Sequence, residues 1–183
     1  MVATRIGRTL GTSNESGFET HVLAHLDAAY NLARWLLGND QDAEDAVQDA
    51  AIRALESIHK LRGTNGKSWF LTIVRNTSLN RIRQRNSNRT ADMEVDESFA
   101  DPRVASPHEL VIQAWQSEEL RVALGNLPLA FREVIILREL EDMSYKEIAE
   151  VTALPIGTVM SRLARARERL QFSLVASGAV VAQ

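Results

Sequence analysis

No cysteine occurs in the 183 residues, which excludes disulfide frameworks, thiolate metal sites and cysteine nucleophiles. No apolar run approaches the ~20 residues that a helix needs to cross a bilayer. The first residues, MVATRIGRTLGTSNESG, lack the apolar stretch of a secretory signal, so a cytoplasmic protein without membrane insertion is expected. Net charge is also scarce, at -3, which argues weakly against a general nucleic-acid coat. Hydrophobic residues are not scarce: at 45% of the chain they can build a core, so a disordered protein is excluded.

The small net charge conceals an uneven distribution. Between Asn39 and Glu56 stand Asp40, Asp42, Glu44, Asp45, Asp49 and Glu56, opposed only by Arg53. Between Ser57 and Ala91 there is no acidic residue, while Lys60, Arg62, Lys67, Arg75, Arg81, Arg83, Arg85 and Arg89 all fall there. From Asp92 to Asp101 the chain turns acidic again. Such segregation points to two partners of opposite charge on neighbouring surfaces.

Periodicity predicts an all-α protein of two small helical domains joined by a flexible linker. Residues 1–17 read as a frayed polar tail. A helix is expected over Phe18 to Leu37, closed by Gly38. Asn39 or Asp40 then caps a helix reaching about Lys60, whose apolar positions include Ala43, Ala46, Val47, Ala50, Ala51, Ala54, Leu55 and Ile58. Its other face carries Asp42, Asp45, Gln48, Asp49, Arg53 and Glu56. A glycine-bearing loop, Arg62 to Lys67, precedes a third helix that begins at Lys67 or Ser68. There Trp69, Phe70, Ile73, Val74 and Ile82 supply core, and Arg75, Asn76, Asn80, Arg81, Arg83 and Arg85 a basic, amide-rich surface. Asn and Arg can hydrogen-bond base edges, and Trp69 and Phe70 can stack on splayed bases, although core placement suits both aromatics better. The first domain is thus 18–86.

Residues 87–105 lack periodicity and read as the linker. Ser106, Pro107 and Glu109 mark a helix start, opening a second domain over 106–172, with 173–183 as a tail. A helix after Pro128 is expected to end near Leu140, with Phe131, Val134, Ile135 and Leu137 buried. Ser144 with Glu147 forms a capping box for a short helix, and Pro155 suits the entry to the next. In that last helix Val159, Leu163, Ala166 and Leu170 make an inward stripe. Thr158, Ser161, Arg162, Arg165 and Arg169 lie on another face. Hydroxyls near the N-terminal end with guanidiniums along the same side suit the major groove, so a helix-turn-helix is expected.

DAEDAVQDAAIRAL (Asp42 to Leu55), SWFLTIVRN (Ser68 to Asn76) and GTVMSRLARARERL (Gly157 to Leu170), in this order and spacing, resemble the extracytoplasmic-function (ECF) group of bacterial sigma factors over about Phe18 to Leu170. The resemblance implies a protein that directs core RNA polymerase to promoters, with no catalysis or cofactor of its own, and an anti-sigma factor as regulator. It implies that Asp42, Asp45, Gln48, Asp49 and Arg53 dock on the polymerase. It implies that Arg62, Asn65, Lys67, Arg75, Asn76, Asn80 and Arg83 meet the melted minus-ten element. The minus-thirty-five duplex falls to Thr158, Met160, Ser161, Arg162, Arg165, Arg167 and Arg169. Met160 stands where relatives often carry Lys or Arg, Asn80 where Asp is frequent, and Ala153 where Gly is common.

Two other regulators fit parts of the pattern. A stand-alone helix-turn-helix regulator leaves the Asp42 to Glu56 face and the acid-free block without a role. A sigma mimic that only sequesters an anti-sigma protein needs none of the arginines on the last helix. An enzyme fits least well. His21 and His25 share the i, i+4 spacing of a metal pair but no third ligand is placed, and carboxylates such as Asp42, Asp45 and Asp49 along a helix usually form a solvated or partner-binding surface.

Overall fold

A computed structural model describes residues 12–61, 65–89 and 118–176. Of the expected linker 87–105, residues 87–89 instead continue the helix that ends at Arg89; the rest of it and Arg62 lie outside these, and of the helix expected from Ser106 only the part from Glu118 lies within them. The described residues form helices α1 (Thr12–His21), α2 (Leu26–Leu37), α3 (Asp40–Ser57), α4 (Gly66–Arg89), α5 (Glu118–Gly125), α6 (Leu129–Ile135), α7 (Tyr145–Thr152) and α8 (Ile156–Ala176), without a strand among them.

Helix ends follow local chemistry. Gly38 closes α2 in a left-handed conformation (φ 83°) that glycine adopts without strain. The Asn39 side chain accepts from the Asp42 N–H and caps α3. Asn65 does the same for α4 through the Ser68 N–H at 3.0 Å, so that helix starts earlier than Lys67. Ser144 and Glu147 form the full capping box on α7. The Glu147 carboxyl is held below the usual carboxylate range, chiefly by the Ser144 bonds and also by Asn65 and Lys67.

Three expectations are corrected. The segment 12–17 is helical, and the single helix over Phe18 to Leu37 is two helices separated by a 3-10 turn at Leu23–His25. Val22, fully buried, is the residue at the break, with φ -120° and ψ -60°. Helix α6 does not run on in α form but widens into a π turn at Ile136–Leu140. Ile135, Ile136 and Leu137 are all buried, an apolar run broader than one α-helical stripe covers, and the wider turn accommodates it. Ala153, where glycine would be at ease, takes the left-handed conformation (φ 55°), so the helix-turn-helix turn carries steric strain of roughly 1–2 kcal/mol.

The first group of helices packs α2, α3 and α4 against one another, and the second sets α8 across α5, α6 and α7. Alanines at positions 43, 46, 50, 51 and 54 line the buried side of α3 and let its neighbours approach closely. The two groups are not held apart: α4 packs on α7 and α2 on α6, and buried residues from both form one continuous core.

Candidate nucleic-acid interface

Helix α8 displays its groups as its spacing requires. Val159, Leu163, Ala166 and Leu170 face the core, which turns Ile156, Gly157, Met160, Ser161, Ala164 and Arg165 outward. The expected duplex-contacting residues then separate. Met160, Ser161 and Arg165 are exposed, and Thr158 is half-buried. Arg162 turns inward, its Nη1 donating to Glu133 Oε1 at 3.3 Å. Arg167 pairs with Glu139, and Arg169 lies over the Phe131 ring, 5.1 Å from its centre. Among the described residues Arg165 and Arg169 are the guanidiniums of this set without an ion pair or hydrogen bond, and Arg165 lacks a ring contact as well.

Two basic side chains of α4, Lys67 and Arg75, are engaged by carboxylates of the second helical group, as is the capping Asn65 before them. Asn65 donates to Glu147 Oε1 at 3.0 Å. Lys67 Nζ sits 3.2 Å from Glu141 Oε2 and donates to the Glu141 carbonyl at 2.7 Å. Arg75 forks onto Glu133, Nε to Oε2 at 2.7 Å and Nη2 to Oε1 at 3.3 Å. Glu133 is 3% exposed and its Arg75 partner 14%, so this carboxylate is buried between two guanidiniums on different helical groups. Asn76 and Asn80 remain exposed, and Arg83 donates to Asn80 across one turn.

Part of the acidic face of α3 is likewise spent within the chain. Arg81 reaches Asp49 at 2.6 Å and Asp45 at 3.5 Å, and Arg85 reaches Asp42 at 2.7 Å. The segregated charge blocks therefore neutralise each other in part, where the sequence points to separate partners for each. Gln48 and Arg53 stay exposed, and between them Ile52 is 49% exposed. Sequence reasoning missed Ile52, assigning it neither to the alanine stripe nor to the charged face. It also missed Glu133, Glu141 and Glu147 as the partners of α4. One signal was available for Glu133, a charge within the apolar run FREVIILREL.

The partly buried Arg132 joins the two groups through backbone. It donates to the carbonyls of Leu124, Gly125 and Leu127, and across the boundary to Trp35 O at 3.0 Å. Burial pushes its guanidinium down to about 10, which leaves it charged at neutral pH. Of the aromatics on α4, Phe70 is fully buried and Trp69 partly buried against the core. His21 and His25 gain no third partner, since no group of three or more His, Cys, Asp or Glu among the described residues is placed to hold a metal. Instead His21 lies against Gly66, where an added Cβ would overlap its ring. No helix among the described residues is long and apolar enough to cross a membrane.

Comparison with known proteins agrees with this geometry. Residues 21–88 match the family described as Sigma-70 region 2, and residues 117–170 the one described as Sigma-70, region 4. SigW of Bacillus subtilis is 30% identical, over 95% of this chain and 97% of that protein. EcfG of Rhodopseudomonas palustris is 33% identical, over 86% of this chain and 85% of its own length. SigE of Mycolicibacterium smegmatis is 31% identical over 88% of this chain, which spans 63% of that longer protein. Among solved structures, the sigma factor RpoE of Bartonella quintana, in complex with the anti-sigma factor NepR, superposes with a TM-score of 0.69 at 29% identity, covering 86% of this chain and 96% of that one. The chain belongs to the ECF group of RNA polymerase sigma factors.

Proposed function

We propose that this chain joins core RNA polymerase through α3, reads the duplex minus-thirty-five element with α8 and holds the melted minus-ten strand on α4. The observation that carries this is the free outward face of α8, with Arg165 unpaired and Met160 and Ser161 exposed, set on a helix-turn-helix whose first helix is firmly capped. The chain supplies no catalytic group in this reading. It acts in the cytoplasm by positioning the polymerase, and an anti-sigma factor holds it inactive, a role supported by the RpoE–NepR complex.

The packed arrangement is not the promoter-bound one. Roughly 25 base pairs, implied by the names of the two elements, span about 85 Å at ~3.4 Å per pair. Helices in contact cannot reach both ends of such a distance. The 28 residues between Arg89 and Glu118 reach at most roughly 95 Å when fully extended, so the connection is long enough once α4 leaves α7. On opening, Asn65, Lys67 and Arg75 exchange carboxylate partners for the phosphates and bases of the melted strand.

Run-off transcription on genomic templates tests the reading. Purified core polymerase should yield specific transcripts only when the chain is added. If it neither binds the core enzyme nor starts a transcript, the proposal fails. The docking face has a sharper probe than its carboxylates, because Asp42, Asp45 and Asp49 also tie α3 to α4. Ile52→Lys alters only an exposed side chain, and should lower co-purification with polymerase at least tenfold while leaving the urea midpoint unchanged. Wild-type recovery of the complex would remove Ile52 from the docking face.

A further inference from the structure

The first two turns of α8 expose two large apolar side chains, Ile156 at 46% and Met160 at 51%. They are i, i+4 neighbours and so lie one above the other on one face. The core does not need them: Val159 and Leu163, on the next face, are fully buried. The surface around them is shaped for a close neighbour. Gly157 has no atom within 4 Å of the place a Cβ would occupy, so the backbone there is bare. Ser161 already donates its hydroxyl proton to Thr158 O at 3.0 Å, which leaves that oxygen as an acceptor. Ala164 adds a methyl one turn on, and Arg165 adds an unpaired charge.

From this we infer that Ile156 and Met160 are specificity-determining residues that read thymine 5-methyl groups in the major groove of the duplex promoter element, with Arg165 anchoring the helix beside them. The inference rests on the proposed promoter reading. The major-groove edges of guanine, cytosine and adenine present donors and acceptors that an isoleucine or methionine leaves unsatisfied. Only thymine presents a methyl group there. Spacing agrees as well. Four residues of helix rise about 6 Å, and two base steps cover about 6.8 Å, so the pair spans two thymines one base apart. Arg165, with its fork of donors, takes guanine or a phosphate further along the groove.

The test uses the full chain in complex with core polymerase, on a promoter found by run-off transcription. Each thymine of the minus-thirty-five element is replaced in turn by deoxyuridine, which differs only by the missing methyl. Two positions should each lose about fourfold in affinity, the effect of one buried methyl group. In Met160→Ala the loss at one of these should vanish, and in Ile156→Ala the loss at the other, as a double-mutant cycle requires. Both side chains are exposed, so the urea midpoints of the variants should match wild type. Equal binding of every uracil-substituted duplex overturns the inference and leaves the promoter reading intact. So does a uracil penalty unchanged in both alanine variants. Failure of the wild-type complex to bind any thymine-containing promoter sinks the promoter reading first, and the inference with it.

Discussion

Glu133→Gln should release the two helical groups from one another. The wild-type carboxylate is buried and shared by Arg75 and Arg162 at 2.7 and 3.3 Å. Its neutral isostere leaves two guanidiniums facing each other without a counter-charge. Removing one partner of a buried ionic cluster typically costs about 3–5 kcal/mol, and the closed arrangement can avoid that cost by opening. At ~1.4 kcal/mol per tenfold, the low end corresponds to a shift of roughly a hundredfold. The absence of native cysteine makes the distance measurable, with dyes on cysteines introduced at the exposed Gln48 and Ala164 positions. The separation should lengthen and broaden in Glu133→Gln. Binding of single-stranded minus-ten oligonucleotides should tighten as Arg75 becomes available. Arg162→Gln removes only the contact within the second group, so it should leave the separation close to wild type. An unaltered distance distribution in Glu133→Gln would show that the ionic cluster does not hold the groups together.

Arg132→Met should produce a large loss of stability that opening of the two groups cannot relieve. The Arg132 guanidinium satisfies the Leu124 and Gly125 carbonyls at the end of α5, where a helix leaves its acceptors orphaned and a cation is favoured by the helix dipole. It also holds the turn at Leu127 and crosses to Trp35. Methionine fills the volume but donates nothing, so several buried acceptors lose their partner at about 1–3 kcal/mol each. A net loss of roughly 3 kcal/mol is expected, which lowers the urea midpoint by about 1–2 M. Arg132→Lys should recover only part of this, since an ammonium cannot reproduce a fork reaching four carbonyls on two elements. A full rescue by lysine would mean that charge alone, and not directional bonding, is what α5 and α6 require.

Much of the local structure was legible in the sequence because its causes are local. The Ser144–Glu147 box, the Asn39 cap, Gly38 and the Val159–Leu170 stripe each follow from residues within one or two turns of one another, and the structure reproduces all of them. What escaped depended on partners far along the chain. Glu133, Glu141 and Glu147 lie 58 to 82 residues from the α4 side chains they hold, and no periodicity links such positions. The same holds for Arg162, which shares the spacing of Arg165 but turns to a buried acid. The break before Leu26 and the π turn at Ile136 express the demand of a shared core on chain that propensity alone would leave as plain helix.

The three glutamates set against α4 also govern how the protein responds to its ionic surroundings. A cationic surface that is bare in solution gathers small anions, and a nucleic-acid strand binds by displacing its own condensed cations, so affinity falls steeply as salt rises. On α4 the neutralising anions are covalently part of the chain, and under the proposed reading they depart as the strand arrives. If the proposed reading holds, higher salt loosens both embraces together, and minus-ten capture should be buffered against changes in the cell's electrolyte more than the number of basic side chains alone would suggest.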